Sequence, residues 1–171
     1  MTTLIQTLHE LSCDSALTMI QAAKQKAEQL GLAICVSVVG PQGLPLASIR
    51  MNGAPLHSIT LAEDKAYTAV SFKRPTHEWD ERLASQPKVQ QALATRDRFT
   101  MLGGGLPIRL TLSSALTTDS ELTTSLEFTP GSNSIGSLTE STVLVGAVGV
   151  SGGSVQQDIE CAEAAIAALL S

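Results

Sequence analysis

The chain has 171 residues, of which 43% are hydrophobic, 16% charged and 3% aromatic, and its formal net charge is −5. This length fits a single domain with its own core, and the composition excludes a disordered chain. An acidic protein without a run of Lys and Arg is not expected to bind nucleic acid nonspecifically.

Other features of the composition indicate a cytoplasmic oligomer. No stretch reaches the roughly 18 apolar residues of a membrane helix, and the first residues lack the basic start of a signal peptide. The cysteines, Cys13, Cys35 and Cys161, are too far apart to predict a disulfide framework or a zinc site. The mean hydropathy of +0.18 predicts that apolar surface is buried between subunits of a homo-oligomer.

The first half of the chain predicts a helix, a β-hairpin and a second helix, over residues 16–30, 32–51 and 59–72. Apolar residues recur every three or four positions in both helices, and Gly40–Gly43 is a turn signal. Asp14 or Ser15 is expected to cap the first helix and Ser58 the second. The predicted buried stripe of the first helix is Leu17, Ile20, Ala23, Ala27 and Leu30.

The second half predicts short helices, further strands and a last helix. In chain order these are helices at 76–83 and 87–95, strands at 99–102, 106–112 and 143–150, and a helix at 156–169. Ser154 and Gln157 have the spacing of a capping box. Hairpin strands with helices grouped between them favour the α+β class with an antiparallel sheet.

Residues 111–142 have a different composition, because half of these positions are Ser or Thr. We interpret the segment as an insertion within a single domain that spans residues 1–171, with a possible strand near Ser125–Thr129. A solvated loop is the alternative.

Two glycine motifs are candidate ligand sites. Gly104, Gly105 and Pro107 lie before and within a predicted strand, where glycine lets a ligand approach the backbone. Ser151, Gly152 and Gly153 join a strand to a helix start, where free N–H groups attract anions. In both motifs the glycines can instead serve only to shape turns.

Two basic side chains complete the predicted ligand site. Arg50 ends a strand and can reach a carboxylate. Lys65 lies near the apolar face of its helix, where it either extends to solvent or pairs with a ligand. Lys65 and Glu63 are the candidate acid or base of an enzyme, but no catalytic residue is assigned. The histidines have no partner at zinc-ligand spacing, so no metal site is predicted.

Several of these pieces, taken in order, resemble the GlcG/HbpS-like family, which includes the C-terminal domain of PduO-type cobalamin adenosyltransferases and is often labelled haem-degrading. The match covers most of residues 15–110 and 143–170. Its pieces are Arg50–Ala54, Ala62, Lys65-Ala66, Thr68-Ala69, Gly104–Pro107, Val145–Gly153, Gln157-Asp158 and Ala162.

The resemblance implies a profilin-like domain, with helices flanking an antiparallel sheet, that assembles as a homo-oligomer. It implies haem or a corrinoid such as cobalamin as ligand, in proteins that accompany small-acid or diol metabolism. His57, His77 and Met101 can each serve as an axial haem ligand, and the sequence does not choose among them.

Two departures from the family pattern stand out. Gly40 replaces an acidic residue that the family usually has in the hairpin turn, and residues 111–142 replace a short turn. We therefore expect a small-ligand-binding accessory protein. The alternatives are an enzyme acting on a small hydroxy- or oxo-acid and a non-catalytic subunit of a metabolic enzyme.

Overall fold

The computed structural model describes residues 7–113 and 140–169. Within them lie five helices and four strands, and the predicted α+β class is confirmed. In chain order the elements are α1 (Cys13–Gln29), β1 (Cys35–Val39), β2 (Pro45–Arg50), α2 (His57–Phe72), α3 (Glu78–Leu83), α4 (Pro87–Ala94), β3 (Gly105–Ser113), β4 (Glu140–Ser151) and α5 (Val155–Ala167).

The strands form one antiparallel sheet in the order β2-β1-β4-β3. The predicted hairpin of β1 and β2 is present, with a register shift between Val38 and Val39. β4 pairs with β1 on one side and β3 on the other, so the last strand lies inside the sheet. Both Arg50 and Ser151 pair with Cys35, which places them at the same end of the sheet.

The alternating side chains of β1 show which helices lie on each face of the sheet. Val36 and Val38 belong to the larger core, which also contains the buried side of α1 and α5. Val39 and Cys35 belong to two smaller cores that contain residues of α2. Because neighbouring side chains of a strand point to opposite faces, α2 covers one face and the pair α1 and α5 covers the other.

The start of α1 differs from the prediction. The helix begins at Cys13, and its cap is Ser12, whose hydroxyl accepts a hydrogen bond from the Ser15 N–H. Leu17 was predicted to be buried but is 53% exposed. Ala16 and Met19 face the core instead, because small alanine side chains let α1 lie close to the alanines of α5 in the shared core.

Two further predictions about local structure were wrong. Ser58 does not cap α2, because the helix already begins at His57 and Ser58 is buried within it. Residues 99–102 form no strand. The Thr100 N–H donates to the Thr68 hydroxyl, and the Leu102 carbonyl accepts from the Thr76 hydroxyl, so side chains take the place of a strand partner.

The predicted insertion begins and ends within strands. β3 continues to Ser113 and β4 starts at Glu140, so the pairing of β3 with β4 extends into the range 111–142. The rest of the insertion, including the possible strand near residues 125–129, lies outside the described residues. Among the described helices, none has both the length and the apolar character needed to cross a bilayer.

Candidate functional site

Lys65 is enclosed between the two glycine motifs. Its side chain comes from α2 and is 2% exposed. The ammonium Nζ donates to the Asp158 carboxylate and to the Val150 carbonyl oxygen, both at 2.7 Å. The sequence predicted that Lys65 either extends to solvent or pairs with a ligand. Neither is the case, because Lys65 is held by an internal ion pair.

Burial acts on both members of this pair. It lowers the pKa of Lys65, and the hydrogen bond and charge of Asp158 oppose that change. It raises the pKa of Asp158, against the opposing effects of Lys65 and of the backbone N–H groups of Gly152 and Gly153. Each charge thus depends on its partner to remain ionised inside the protein.

At the first glycine motif, neighbouring backbone and side-chain atoms pack so closely that no space remains for a Cβ atom. A Cβ at Gly104, where φ is +107°, would lie 2.7 Å from the Val150 oxygen and 3.2 Å from Lys65 Nζ. A Cβ at Gly105 would press against the Lys65 carbonyl oxygen. The Gly105 N–H donates to the Thr76 hydroxyl, so it is not free for a ligand.

The second motif is closed in the same way. A Cβ at Gly152 would lie 2.6 Å from the Ala33 oxygen. The Gly153 N–H donates to the Asp158 carboxylate at 2.9 Å, and Ser151 is buried in the sheet beside Cys35. The N–H groups of Gly105, Gly152 and Gly153, which were predicted to be open to a ligand, therefore have partners inside the protein.

The remaining predicted site residues lie at different depths. Pro107 is buried in β3, opposite Ala147. Arg50 is exposed at the end of β2 and donates to the Ala54 carbonyl oxygen at 3.0 Å. The structure therefore brings Lys65, the two glycine motifs and Asp158 together, and leaves Arg50 outside this cluster on the surface.

The three candidate axial ligands occupy different places. His57 is exposed at the first residue of α2, beside Leu56. His77 is exposed just before α3, and its Cβ lies 3.1 Å from the position of a Cβ at Gly103. Met101 is half-buried two residues before Gly103. His77 and Met101 thus both lie near the first glycine motif.

Apolar side chains surround the same position. The Val155 and Ile159 side chains of α5 would lie 2.7 and 3.0 Å from a Cβ at Gly103. Leu102 is 48% exposed and Val155 is 49% exposed. We call this surface, formed by His77, Leu102, Gly103 and Val155, the Gly103 surface.

Sequence reasoning missed two residues of the cluster. Asp158 was noted only as part of a resemblance, although it stands in the first turn of α5, where a carboxylate is favoured. Thr76 was interpreted as a helix cap, but it is fully buried and its hydroxyl contacts Leu102 and Gly105. The only local signal is for Asp158, an acid at the start of a helix that follows a glycine turn. Thr76 has none.

A family model described as "Haem degrading protein HbpS-like" matches residues 11–115 and 112–167 of this chain. The chain belongs to the HbpS-like family. It is 31% identical to the corrinoid adenosyltransferase PduO of Citrobacter freundii over 96% of its own length, but it spans only 38% of that protein.

Solved structures of two other proteins share the fold. The Klebsiella pneumoniae protein ORFY is 27% identical, with a TM-score of 0.73, and the alignment covers 98% of this chain and 96% of that one. The PduOC:haem complex is 30% identical, with a TM-score of 0.66, and the alignment covers 93% and 94%.

A carboxylate is present at the hairpin turn of this HbpS-like chain although the turn residue is glycine. A Cβ at Gly40 would press against Oε1 of Glu10, which comes from the segment before α1. The Gly40 N–H donates to the Leu44 oxygen and closes the turn. The absence of an acidic residue at position 40 therefore does not leave the turn without a neighbouring carboxylate.

Proposed function

We propose that this protein binds a tetrapyrrole, with haem as the first candidate and a corrinoid as the second. The family is described as haem degrading. The relative in the PduOC:haem complex matches nearly the whole chain at 30% identity, and this is the observation that carries the proposal.

The interior between the glycine motifs is not where such a ligand would lie. Lys65 and Asp158 fill that space, and the N–H groups of Gly105 and Gly153 are already hydrogen-bonded. A tetrapyrrole is a large planar molecule that needs either a wide pocket or an exposed apolar surface. The proposed site is therefore on the outside of the first motif, at the Gly103 surface.

The Gly103 surface has the groups that a haem requires. Leu102 and Val155 offer exposed apolar contact area, and the His77 imidazole is exposed beside them. A bound haem supplies iron-centred ligand exchange and redox chemistry, which the axial ligand and the surrounding polarity adjust. His77 is the proposed axial ligand, and Met101 is the nearest alternative in the chain.

Arg50 remains the proposed partner of a propionate carboxylate. It lies at the same end of the sheet as Ser151, and two inter-strand spacings of about 4.8 Å separate β2 from β4. Its guanidinium makes one hydrogen bond, to the Ala54 oxygen, and has further N–H groups to donate. Lys65 no longer has this role in the proposal, because its charge is satisfied by Asp158.

Assembly of several copies is part of the proposal. Leu8, Leu17, Leu44 and Leu56 are each more than half exposed, and contact between subunits would remove this apolar surface from water. We expect a homo-oligomer by light scattering coupled to size-exclusion chromatography. A monomer at micromolar concentration would contradict this expectation.

The small-acid enzyme has less support than ligand binding. Its best candidate base was Lys65, whose ammonium group is buried and donates to two internal acceptors. Glu63 is half-buried, two residues before Lys65 on α2, and nothing in the described residues positions a substrate beside it.

The test is a titration with haemin followed by visible absorption, with cobalamin in parallel. We expect a saturable, shifted Soret band at about one haemin per chain. His77→Ala should alter the band and weaken binding roughly tenfold or more, since an axial bond is lost. His57→Ala is the matched control, because this residue is also exposed but lies at the start of α2.

The result also separates the alternatives. If Met101→Leu rather than His77→Ala alters the band, the Gly103 surface is right and the axial ligand is wrong. If only His57→Ala alters it, the site is at the start of α2. No saturable change with haemin or cobalamin would overturn the tetrapyrrole proposal for this protein.

A further inference from the structure

The aromatic residues that the structure describes gather in one place. The sequence has one Trp, one Tyr and three Phe, and Tyr67, Phe72, Trp79 and Phe99 lie on α2 or in the segments packed beside it. Phe72, Trp79 and Phe99 contact one another edge-to-face, with ring centroids 4.8 to 5.7 Å apart. In a protein with so few aromatics, this cluster is not accounted for by the main core, which is built from aliphatic side chains.

A pocket of about 150 Å³ lies beside the cluster. Tyr67, Ser71 and Phe72 of α2 form one wall, and Arg96, Arg98 and Phe99 of the segment after α4 form the other. The lining is mainly apolar. A cavity of roughly 150 Å³ lined by apolar side chains has the size to hold one benzene ring.

The wall after α4 is held in a conformation that costs energy. Arg98 has a φ of +63°, a region that L-residues other than Asn and Asp rarely adopt. The buried Thr68 hydroxyl donates to the Arg98 oxygen at 2.9 Å and accepts from the Thr100 N–H at 3.1 Å. Backbone strain maintained by surrounding contacts is characteristic of ligand sites, and here it sets the Arg98 side chain over the pocket wall.

The charges at the pocket leave one arginine available to an anion. The Arg98 guanidinium lies 4.0 Å from the Tyr67 ring centroid and 3.4 Å from an Asp64 carboxylate oxygen. The Arg96 guanidinium makes no ion pair or hydrogen bond with the described residues. Asp97 also lines the pocket, and because Arg98 is paired with Asp64, Arg96 is the arginine of the lining that has no ion-pair partner among the described residues.

We propose that this pocket binds a small carboxylate with a single aromatic ring. The ring would lie against the edges of Phe72 and Phe99, where edge-to-face contacts are favoured. The carboxylate would accept hydrogen bonds from Arg96, whose planar guanidinium matches it in geometry. This site is on the outer side of α2 and is independent of the proposed tetrapyrrole site.

The test uses 4-fluorobenzoate, whose binding is followed by ¹⁹F NMR line broadening. Trp79 provides a second readout, because it is the only tryptophan of the chain and packs against both Phe72 and Phe99. We expect saturable broadening together with a saturable change in tryptophan fluorescence. The neutral isostere 4-fluorobenzamide should bind several-fold more weakly.

Variants assign the binding to this pocket. Arg96→Gln should weaken the binding of 4-fluorobenzoate by about three- to tenfold, as expected for one partly exposed charge-assisted contact. Ser71→Leu should abolish it, since the added side chain occupies the pocket without changing any charge. Lys26→Gln removes the same charge from α1 on the other side of the sheet, and should leave the affinity unchanged.

Three results would overturn the proposal. The first is the absence of saturable binding by both readouts in the unmodified protein. The second is equal binding of 4-fluorobenzoate and 4-fluorobenzamide, which would remove the anion from the argument. The third is binding that survives Ser71→Leu in a variant with an unchanged thermal transition.

Discussion

Lys65 and Asp158 join helices that lie on opposite faces of the sheet. The residues are 93 positions apart in the chain, and their charged atoms are 2.7 Å apart. Lys65 belongs to α2, and Asp158 to the first turn of α5, which packs with α1. The contact passes beside Gly104, where a side chain would obstruct it. One buried ion pair thus connects both helical layers to the end of the sheet.

Asp158→Asn should strongly destabilise the protein near neutral pH. The amide can still accept from the Gly153 N–H, but the buried Lys65 ammonium loses its counter-charge. Removing one partner of a buried ion pair costs about 3–5 kcal/mol. Urea unfolding at pH 7 measures this loss. A change below about 1 kcal/mol would mean that the pair is not enclosed as described.

The same variant should recover stability as the pH rises. Burial lowers the pKa of Lys65 below its ordinary value of 10.5, and without the Asp158 carboxylate the charge that opposes this effect is lost. Between the folded pKa and 10.5 the unfolded chain binds more protons than the folded one, so the free energy of unfolding increases with pH. The difference from the unmodified protein should therefore shrink between pH 7 and pH 10. A constant difference would contradict this linkage.

Lys65→Met should show the opposite pH dependence. The variant leaves the Asp158 carboxylate buried without its cation, and burial raises its pKa above the ordinary value of 3.8. Between 3.8 and the folded pKa the folded chain binds more protons, so stability increases as the pH falls. Relative to the unmodified protein, we expect a smaller deficit at pH 5 than at pH 7. Thermal unfolding at both values measures it, with Lys26→Gln as a surface-charge control.

The fold could be predicted largely because its signals are local. The spacing of apolar residues marks α1, α2 and α5, the turn at Gly40–Gly43 marks the first hairpin, and Ser154 with Gln157 forms the predicted capping box. Residues 99–102 were predicted wrongly because their backbone partners are the hydroxyls of Thr68 and Thr76. Both lie more than twenty residues earlier, beyond the reach of any local pattern.

The interior of the candidate site could be predicted only in part. The sequence singles out Lys65 and both glycine motifs, and the structure does bring them together. The sequence does not distinguish a glycine that lets a ligand approach the backbone from one that lets a helix approach it, because both require the absence of a Cβ atom. Nor does it show that Asp158 satisfies Lys65, since the two residues meet only through the tertiary fold.

Gly149→Ala tests whether a glycine is needed for the close approach of a helix, in contrast to a glycine that only shapes a turn. Gly149 lies in β4, and a Cβ there would press against the Ala62 oxygen and lie 2.6 Å from the Ala66 nitrogen of α2. Because backbone cannot move aside as a side chain can, we expect a loss of about 2–4 kcal/mol. Gly31→Asn is the control: its φ is +68° with open space around it, and Asn tolerates this conformation. Equal losses in the two variants by urea unfolding would contradict the packing argument.

Gly40→Asp should be more destabilising when residue 10 is Glu than when it is Gln. A side chain at position 40 would meet the Glu10 carboxylate, and two neighbouring carboxylates repel each other. Glu10 is exposed and can move aside, so the expected cost at pH 7 is modest, roughly 0.5–1.5 kcal/mol. In a Glu10→Gln background the same substitution should cost less, by at least about 0.5 kcal/mol. A double-mutant cycle measures this coupling, and identical costs in both backgrounds would show that the two positions do not share the space above the turn.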